Sequence, residues 1–226
     1  MKKVHDLINT NFFKSVYSNL IKKEVEKDDK LPLITISREK GAGGRPIAHL
    51  LQKKLKDPWK VYRKEIVERI AKESRLEKQL IHEVDEKKIP LIDEVISNFF
   101  GKRYMQLDDY YRYLIKILST IGNRGHAIIL GRGANTLFPH SLKVRMISDF
   151  EYRIKSLIRY QKVSRKKAIS LIQNSDKDRK AFTQALFKHD ITDPIYYDIV
   201  IKTGEDLNIK DAANIIYKLA KNKFNI

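Results

Sequence analysis

The sequence predicts an α/β fold in which helices cover both faces of a parallel β-sheet. Short apolar runs alternate along the chain with longer segments whose hydrophobic residues keep helical spacing. A cluster of glycines separates the first apolar run from the segment that follows it. Parallel strands are connected through helices and are buried on both faces, which produces this alternation. At 226 residues the chain is long enough for one domain with a substantial core.

Five strands are predicted from runs of β-branched and other apolar residues. The first, Leu33–Ser37, precedes the glycine cluster and is expected to be a central parallel strand. A short run at Lys60–Tyr62 is predicted to be a further strand beside it. The other three predicted strands are Ala127–Leu130, Val144–Ile147 and Ile199–Ile201.

The helices are predicted from apolar residues that recur every three or four positions. The first begins near Pro46, because proline is tolerated in the first turn of a helix. Further helical patterns are Glu65–Lys72, Tyr110–Ile121, Phe150–Tyr160, Ser164–Gln173 and Lys210–Ala220. Residues 65–121 show no clear strand and are interpreted as a helical insert. Residues 1–30 are interpreted as an amphipathic extension, followed by a single domain over residues 31–226.

The charge balance favours polyanionic ligands. Forty-six Lys and Arg residues against 28 Asp and Glu residues give a net charge of +18, which is typical of proteins that meet nucleotides, nucleic acids or anionic membranes. A lysine-rich solvated surface explains the same charge equally well. The absence of cysteine excludes disulfide scaffolds, thiolate metal sites and cysteine nucleophiles, and it fits a reducing compartment such as the cytoplasm. No apolar run is long enough to predict a membrane span.

Other site types are disfavoured by spacing. The six histidines lack the spacing of metal ligands, so no metal site is predicted. Neither Ser37 nor Ser119 lies in the G-x-S-x-G pattern of many serine hydrolases. The aromatic stretch Tyr104–Tyr113 has a composition that can stack nucleic-acid bases, but it is interpreted as a packing or interface helix.

The glycine cluster lies within Ser37–Arg45, whose sequence is S-R-E-K-G-A-G-G-R. Glycines allow the backbone to approach a phosphate closely, and a helix N-terminus adds a partial positive charge. The predicted phosphate-binding residues are Arg38, Lys40, Gly41, Ala42, Gly43, Gly44 and Arg45. The loop departs from the Walker pattern G-x-x-x-x-G-K-[ST], because Gly44 stands at the lysine position and Arg45 at the hydroxyl position. A tight turn without a ligand is the alternative interpretation.

A second motif, Gly131-Arg132-Gly133, directly follows the predicted strand Ala127–Leu130. Open α/β sheets bind ligands at the carboxyl ends of their strands, and a guanidinium group can contact two phosphate oxygens at once. Arg132 is therefore a candidate phosphate ligand, with a purely structural Gly-Arg-Gly turn as the alternative.

A third constellation is basic and lies late in the sequence, and it consists of Arg153, Arg159, Arg165, Asp176, Asp178 and Arg179. Arg153 lies in the predicted helix Phe150–Tyr160, and Arg179 follows the polar stretch Gln173–Asp178. We interpret residues 160–190 as a lid region, because mobile arginines that close over a transferring phosphate are a known catalytic device. A solvated pair of charged helices is the alternative.

Taken in order, the motifs resemble those of the cytidylate-kinase-like family of P-loop nucleoside monophosphate kinases. The resemblance spans Leu31 to about Leu219. The segments that carry it include Ile36–Gly44, Gly131–Asn135, Asp176–Arg179 and Thr192–Asp198.

The resemblance implies a P-loop kinase-type three-layer sandwich with a helical insert. It also implies ATP as phosphoryl donor, Mg²⁺ carried on the ATP, and a nucleoside monophosphate similar to CMP or dCMP as acceptor. By the same resemblance Arg132 would hold the acceptor phosphate, and Arg153 and Arg179 would stabilise the transfer, so these three are the predicted catalytic residues.

Some residues depart from the family pattern. Gly133 stands where better-studied cytidylate kinases have an aspartate that contacts the acceptor nucleoside, and Arg63 stands where the most similar subgroup usually has aspartate. With Gly44, these departures motivate an alternative function, a nucleotide-binding regulator or sensor without kinase activity. The net charge and the stretch Tyr104–Tyr113 motivate a third, a nucleic-acid-associated basic protein.

Overall fold

The computed structural model describes residues 31–63 and 109–226. The amphipathic extension, the predicted helix Glu65–Lys72 and most of the predicted insert lie outside these ranges. The same holds for the first part of the aromatic stretch Tyr104–Tyr113.

The described chain forms a five-stranded sheet in which every neighbouring pair is parallel. The strands are β1 (Leu33–Arg38), β2 (Lys60–Tyr62), β3 (Ala127–Leu130), β4 (Leu142–Ser148) and β5 (Ile199–Thr203). Their order across the sheet is β2-β3-β1-β4-β5, so β1 is central, as predicted.

Strand β2 is present but has a different neighbour from the predicted one. It pairs with β3, with Lys60 opposite Ala127, and β3 separates it from β1. A three-residue run contains too little pattern to specify which strand it pairs with, because any apolar neighbour satisfies the same alternation.

Six α-helices are described: α1 (Gly44–Leu55), α2 (Asp109–Arg124), α3 (Ala134–Leu137), α4 (Phe150–Gln161), α5 (Arg165–Phe187) and α6 (Ile209–Phe224). Helix α1 begins two residues before Pro46. Helix α5 is much longer than the predicted Ser164–Gln173, since it continues without interruption through the polar stretch Gln173–Asp178. Ser164 caps its first turn by accepting a hydrogen bond from the backbone N–H of Lys167 at 3.3 Å.

Alternating side chains of β1 divide the core into two layers. Ile34 and Ile36 face a cluster that includes residues of α1 and α6. Leu33 faces the opposite cluster, formed with α2, α3 and Leu186 of α5. The expected α/β arrangement, with helices on both faces of the sheet, is confirmed. It brings the carboxyl ends of β1, β3 and β4 to one edge, where the predicted site residues lie.

Candidate active site

The loop between β1 and α1 places two glycines in the left-handed region. Gly41 has φ 91° and Gly43 has φ 77°. At Gly41 the backbone also passes so close to α4 that a Cβ would lie 2.9 Å from the carbonyl oxygen of Arg153. Gly43 is the N-cap of α1, and as a glycine it has no side chain that could cap the helix. A helix N-terminus without an N-cap side chain is an arrangement that favours an anion.

The carbonyl oxygens of this loop are held by side chains from elsewhere in the fold. Arg179 Nη1 donates to the oxygen of Arg38 at 2.6 Å. Arg153 Nε donates to the oxygen of Lys40 at 2.7 Å. Thr203 Oγ1 donates to the oxygen of Ala42 at 3.1 Å. These three hydrogen bonds hold the loop to α5, α4 and β5.

Glu39 fixes the same loop to the end of β4. Its backbone N–H donates to the oxygen of Met146 at 2.9 Å, and its Oε2 accepts from the N–H of Ser148 at 3.0 Å. Arg153 Nη1 lies 3.4 Å from the same Oε2. The Glu39 carboxylate therefore holds the loop to the end of β4 and to Arg153.

Arg153 is buried, with 5% of its surface exposed. Besides Lys40 and Glu39, its guanidinium forms an ion pair with Asp176 of α5. One side chain thus links α4, α5 and the glycine loop, and its donors are directed at protein acceptors.

Arg179 lies one helical turn after Asp176 on α5. Burial lowers the pKa of Arg179, and the charges of Arg153, Arg145 and Arg132 lower it further, while Asp176 opposes them. Arginine stays protonated in proteins, and the three neighbouring arginines concentrate positive charge around Arg179. Lys40 lies in the same region, and its pKa is lowered by burial and by the charges of Arg179, Arg45 and Arg38, against the opposing charge of Asp176.

Arg132 follows β3 in the left-handed region, with φ 60°. Its guanidinium carbon lies 5.3 Å from the centre of the Phe182 ring on α5, within the range of a cation–π contact. Arg132 lies near enough to Arg179 for their charges to interact. Arg179 also donates a hydrogen bond to the oxygen of Arg38, so residues of all three motifs lie at the same edge of the sheet.

Arg145 is a residue of this region that the sequence analysis missed. It lies in β4 opposite Ser37 of β1, is 4% exposed, and donates from Nη1 to Ser37 Oγ at 3.0 Å. Its guanidinium carbon also lies 5.6 Å from the Tyr197 ring. Within residues 31–63 and 109–226, no carboxylate lies within ion-pair distance of Arg145. The available signal was a charged residue inside the apolar run Val144–Ile147, since a buried charge is costly without a counterion.

Comparison with protein families decides the family. The model of the cytidylate kinase-like family matches residues 33–205, most of the chain. The chain belongs to the cytidylate kinase-like family.

One solved structure agrees on the fold of this cytidylate kinase-like protein. An uncharacterized protein from Eubacterium ventriosum has a TM-score of 0.68 at 20% identity, and the match covers 85% of this chain and 99% of that one. The protein TT1252 from Thermus thermophilus has a TM-score of 0.47 at 16% identity, covering 84% and 98%. Shikimate kinase from Acinetobacter baumannii, solved with shikimate, has a TM-score of 0.45 at 17% identity, covering 87% and 96%. No curated protein matches the sequence.

Membership in the family supports a kinase-type phosphoryl transfer that uses nucleotides. By sequence, Gly133 matches the position of an aspartate in better-studied cytidylate kinases. Gly133 has φ 69°, and a Cβ there would overlap the ring of Phe187 at the end of α5. In this cytidylate kinase-like protein, the space for a side chain at position 133 is taken by Phe187.

The donor set for a divalent metal ion is sparse. Among residues 31–63 and 109–226, no three His, Asp or Glu side chains are grouped as metal ligands. At the Walker hydroxyl position, Arg45 offers a cation in place of an oxygen. The described side chains therefore do not form a cage of protein ligands for Mg²⁺.

None of the helices in the described ranges combines the length and hydropathy needed to cross a lipid bilayer.

Proposed function

We propose that this protein transfers the γ-phosphoryl group of ATP to a nucleoside monophosphate, with CMP or dCMP as the acceptor class. The observation that supports it best is the convergence of Arg132, Arg145 and Arg179 beside the glycine loop. Concentrated, preorganised positive charge is what phosphoryl transfer requires of a protein, because the chemistry depends on positioning and electrostatic stabilisation.

The donor phosphates would bind over Gly41–Gly44. The anchored carbonyls and the N-terminus of α1, which has no N-cap side chain, support this placement. Arg38, Lys40 and Arg45 lie in the loop or beside it and are the candidates to supply the charge of the missing lysine.

In the transfer step, an oxygen of the acceptor phosphate forms a bond to the γ-phosphorus. The bond between that phosphorus and the β–γ bridging oxygen breaks, and its electron pair stays on the ADP that leaves. We assign Arg132 to the acceptor phosphate and Arg179 to the transferring phosphoryl group. Arg145, which lies in strand β4, would add positive charge to the site. Arg153, which is engaged with Asp176 and Lys40, would act by positioning the loop.

Magnesium would arrive on the nucleotide rather than in a cage of protein ligands. Mg²⁺ commonly keeps several waters and binds through substrate phosphates, and the described side chains offer no alternative set. The ion would then neutralise phosphate charge in addition to the arginines. We place the reaction in the cytoplasm, as the absence of cysteine suggests.

A regulatory nucleotide-binding role is the second candidate. It is favoured by Gly44 and Arg45 at the Walker positions and by Phe187 in the space beside Gly133. A sensor needs the phosphate-binding loop but no transfer machinery.

A coupled assay of ADP release, run across the common nucleoside monophosphates, tests the proposal. A kinase releases ADP in proportion to one preferred acceptor, whereas a sensor binds ATP and releases none. A nucleic-acid-binding role would appear as binding that falls steeply with salt concentration, because each neutralised phosphate releases counterions.

A further inference from the structure

We infer that Arg38 supplies the positive charge that a lysine supplies in the Walker loop, and that its side chain occupies space left by Gly44 and Gly131. The inference rests on the proposed function, because it names a residue for the donor phosphates of the same site. It selects one of the three cations that lie in or beside the loop.

The first observation concerns the position of the missing lysine. A Cβ built on Gly44 would lie 2.9 Å from Cγ of Arg38 and 3.1 Å from its Cβ. Packed carbon atoms prefer separations of about 3.5–4.0 Å. The aliphatic part of Arg38 therefore lies where a lysine side chain at position 44 would begin, and the two side chains exclude each other.

The second observation concerns the other end of the same side chain. A Cβ at Gly131 would overlap Nη1 of Arg38 and would lie 3.3 Å from its Cζ. The side chain thus runs from the first turn of α1 to the turn after β3. Its charge lies beside the residue that precedes Arg132, between the loop for the donor and the arginine assigned to the acceptor.

Arg38 is also better held than the other two candidates. Arginines hold the backbone oxygens of both Arg38 and Lys40, but only the side chain of Arg38 is shown packed against two glycines. Arg45 is exposed on the first turn of α1, and burial together with three neighbouring cations disfavours the charged form of Lys40. A cation fixed before binding stabilises charge without reorganisation, which favours Arg38 for this role.

The test begins with Arg38→Met, which keeps an unbranched aliphatic side chain and removes the charge. We expect ATP affinity, measured by titration calorimetry, to fall at least about tenfold, and turnover to fall about 100-fold or more. Arg159→Met is the matched control, because Arg159 is an exposed arginine of α4 whose guanidinium lies over Tyr160. It should leave both quantities unchanged.

A second pair of variants exchanges the two side chains. Arg38→Gly combined with Gly44→Lys restores a Walker-like glycine and lysine, and it should bind ATP more tightly than Arg38→Met. Gly44→Lys alone should lower the melting temperature, because the new side chain meets Arg38. Should Arg38→Met melt below the assay temperature, Arg38→Gly alone replaces it in this comparison.

A third comparison needs neither ATP nor turnover. Alanine favours helices more than glycine does, yet Gly44→Ala should lower the melting temperature, because its Cβ displaces Arg38. Gly204→Ala is the control, since a Cβ there meets no atom within 4 Å.

Unchanged ATP affinity in a folded Arg38→Met protein overturns the inference. So does an exchanged variant that binds ATP no better than Arg38→Met. A wild-type protein that binds ATP but releases no ADP with any monophosphate overturns the kinase function alone, and the ATP titrations still test Arg38. A wild-type protein that binds no ATP overturns both.

Discussion

Nη1 of Arg179 donates to the backbone oxygen of Arg38 at 2.6 Å, and so helix α5 holds the last residue of the central strand. One turn earlier on the same helix, Asp176 pairs with Arg153, which in turn holds the oxygen of Lys40. Residues three apart on a helix lie on one face, and this face of α5 supports the glycine loop at two points.

Arg153 is predicted to matter for stability. Arg153→Met would remove the guanidinium that pairs with both Asp176 and Glu39, and it would leave the oxygen of Lys40 without its donor. We expect the free energy of unfolding to fall by about 3 kcal/mol, toward the lower end for a broken buried ion pair, because Asp176 is partly exposed. Urea denaturation measures the loss.

Arg165→Met is the matched control for that experiment. Arg165 pairs with Glu151 at 2.7 Å, but both side chains are 58% exposed. Exposed pairs contribute little because water and salt screen them, so this variant should unfold near the wild-type denaturant concentration. Equal losses in the two arginine variants would contradict the role given to Arg153.

Arg132 separates a kinase from a sensor. If it holds the acceptor phosphate, Arg132→Ala removes a charge-assisted contact of about 1.5–3 kcal/mol. A contact that strengthens in the transition state lowers kcat as well. We expect turnover to fall much more than ATP affinity, as measured by ADP release and calorimetry. Unchanged acceptor binding and turnover would show that Arg132 only shapes the turn.

Gly133 and Phe187 are expected to be energetically coupled. Gly133→Asp introduces the aspartate of better-studied cytidylate kinases, but its side chain would overlap Phe187, so we expect the free energy of unfolding to fall by more than about 1 kcal/mol. Aspartate tolerates a positive φ better than most residues, and Phe187→Ala would open the space. The double variant should therefore be more stable than the sum of the two single losses predicts, in a double-mutant cycle by urea denaturation. Strict additivity would contradict the steric explanation.

His189 predicts a pH dependence of stability. Burial lowers its pKa from the ordinary 6.5, although the backbone oxygen of Asp190 and the charges of Asp193 and Asp190 oppose this. Its Nε2 lies 2.8 Å from Thr136 Oγ1, its ring stacks on Tyr196 at 3.8 Å, and Lys180 approaches through its ion pair with Asp190.

The direction of this pH dependence follows from the lowered pKa of His189. Below pH 6.5 the unfolded chain binds a proton at this histidine that the folded protein resists, so stability falls as the pH drops. Above that pH the contribution is complete. Melting temperatures from pH 5 to pH 8 should fall more steeply on the acid side for the wild type than for His189→Gln. Parallel curves for the two proteins would contradict the prediction.

The sequence was sufficient for the strands and the glycine loop because these depend on local pattern. Ala127–Leu130 is a strand with the predicted bounds, and β1, β4 and β5 extend the predicted runs by one to three residues in total. A run of apolar residues and a cluster of glycines can each be recognised within a few consecutive residues of the sequence.

The tertiary contacts were less accessible to sequence analysis. The polar stretch Gln173–Asp178 favours a loop by composition, yet it is helical, because Asp176 is paired with a buried arginine from α4. Arg145 was overlooked because the apolar residues around it predict a buried strand. Nothing in that local pattern indicates that its guanidinium donates a hydrogen bond to Ser37. Neither contact leaves a periodic signal in the chain.

Helix α5 contacts both the glycine loop and the turn that contains Arg132 and Gly133. Its middle holds the glycine loop through Asp176 and Arg179, while its last two turns carry Phe182 against Arg132 and Phe187 against Gly133. From Asp176 to Phe187 the helix extends about 16 Å at 1.5 Å per residue. In the kinase proposed above, a shift of the helix along its axis would displace both contacts together, so binding at one end would change affinity at the other by an equal factor in each direction. Donor and acceptor would then each bind more tightly, or each more weakly, in the presence of the other.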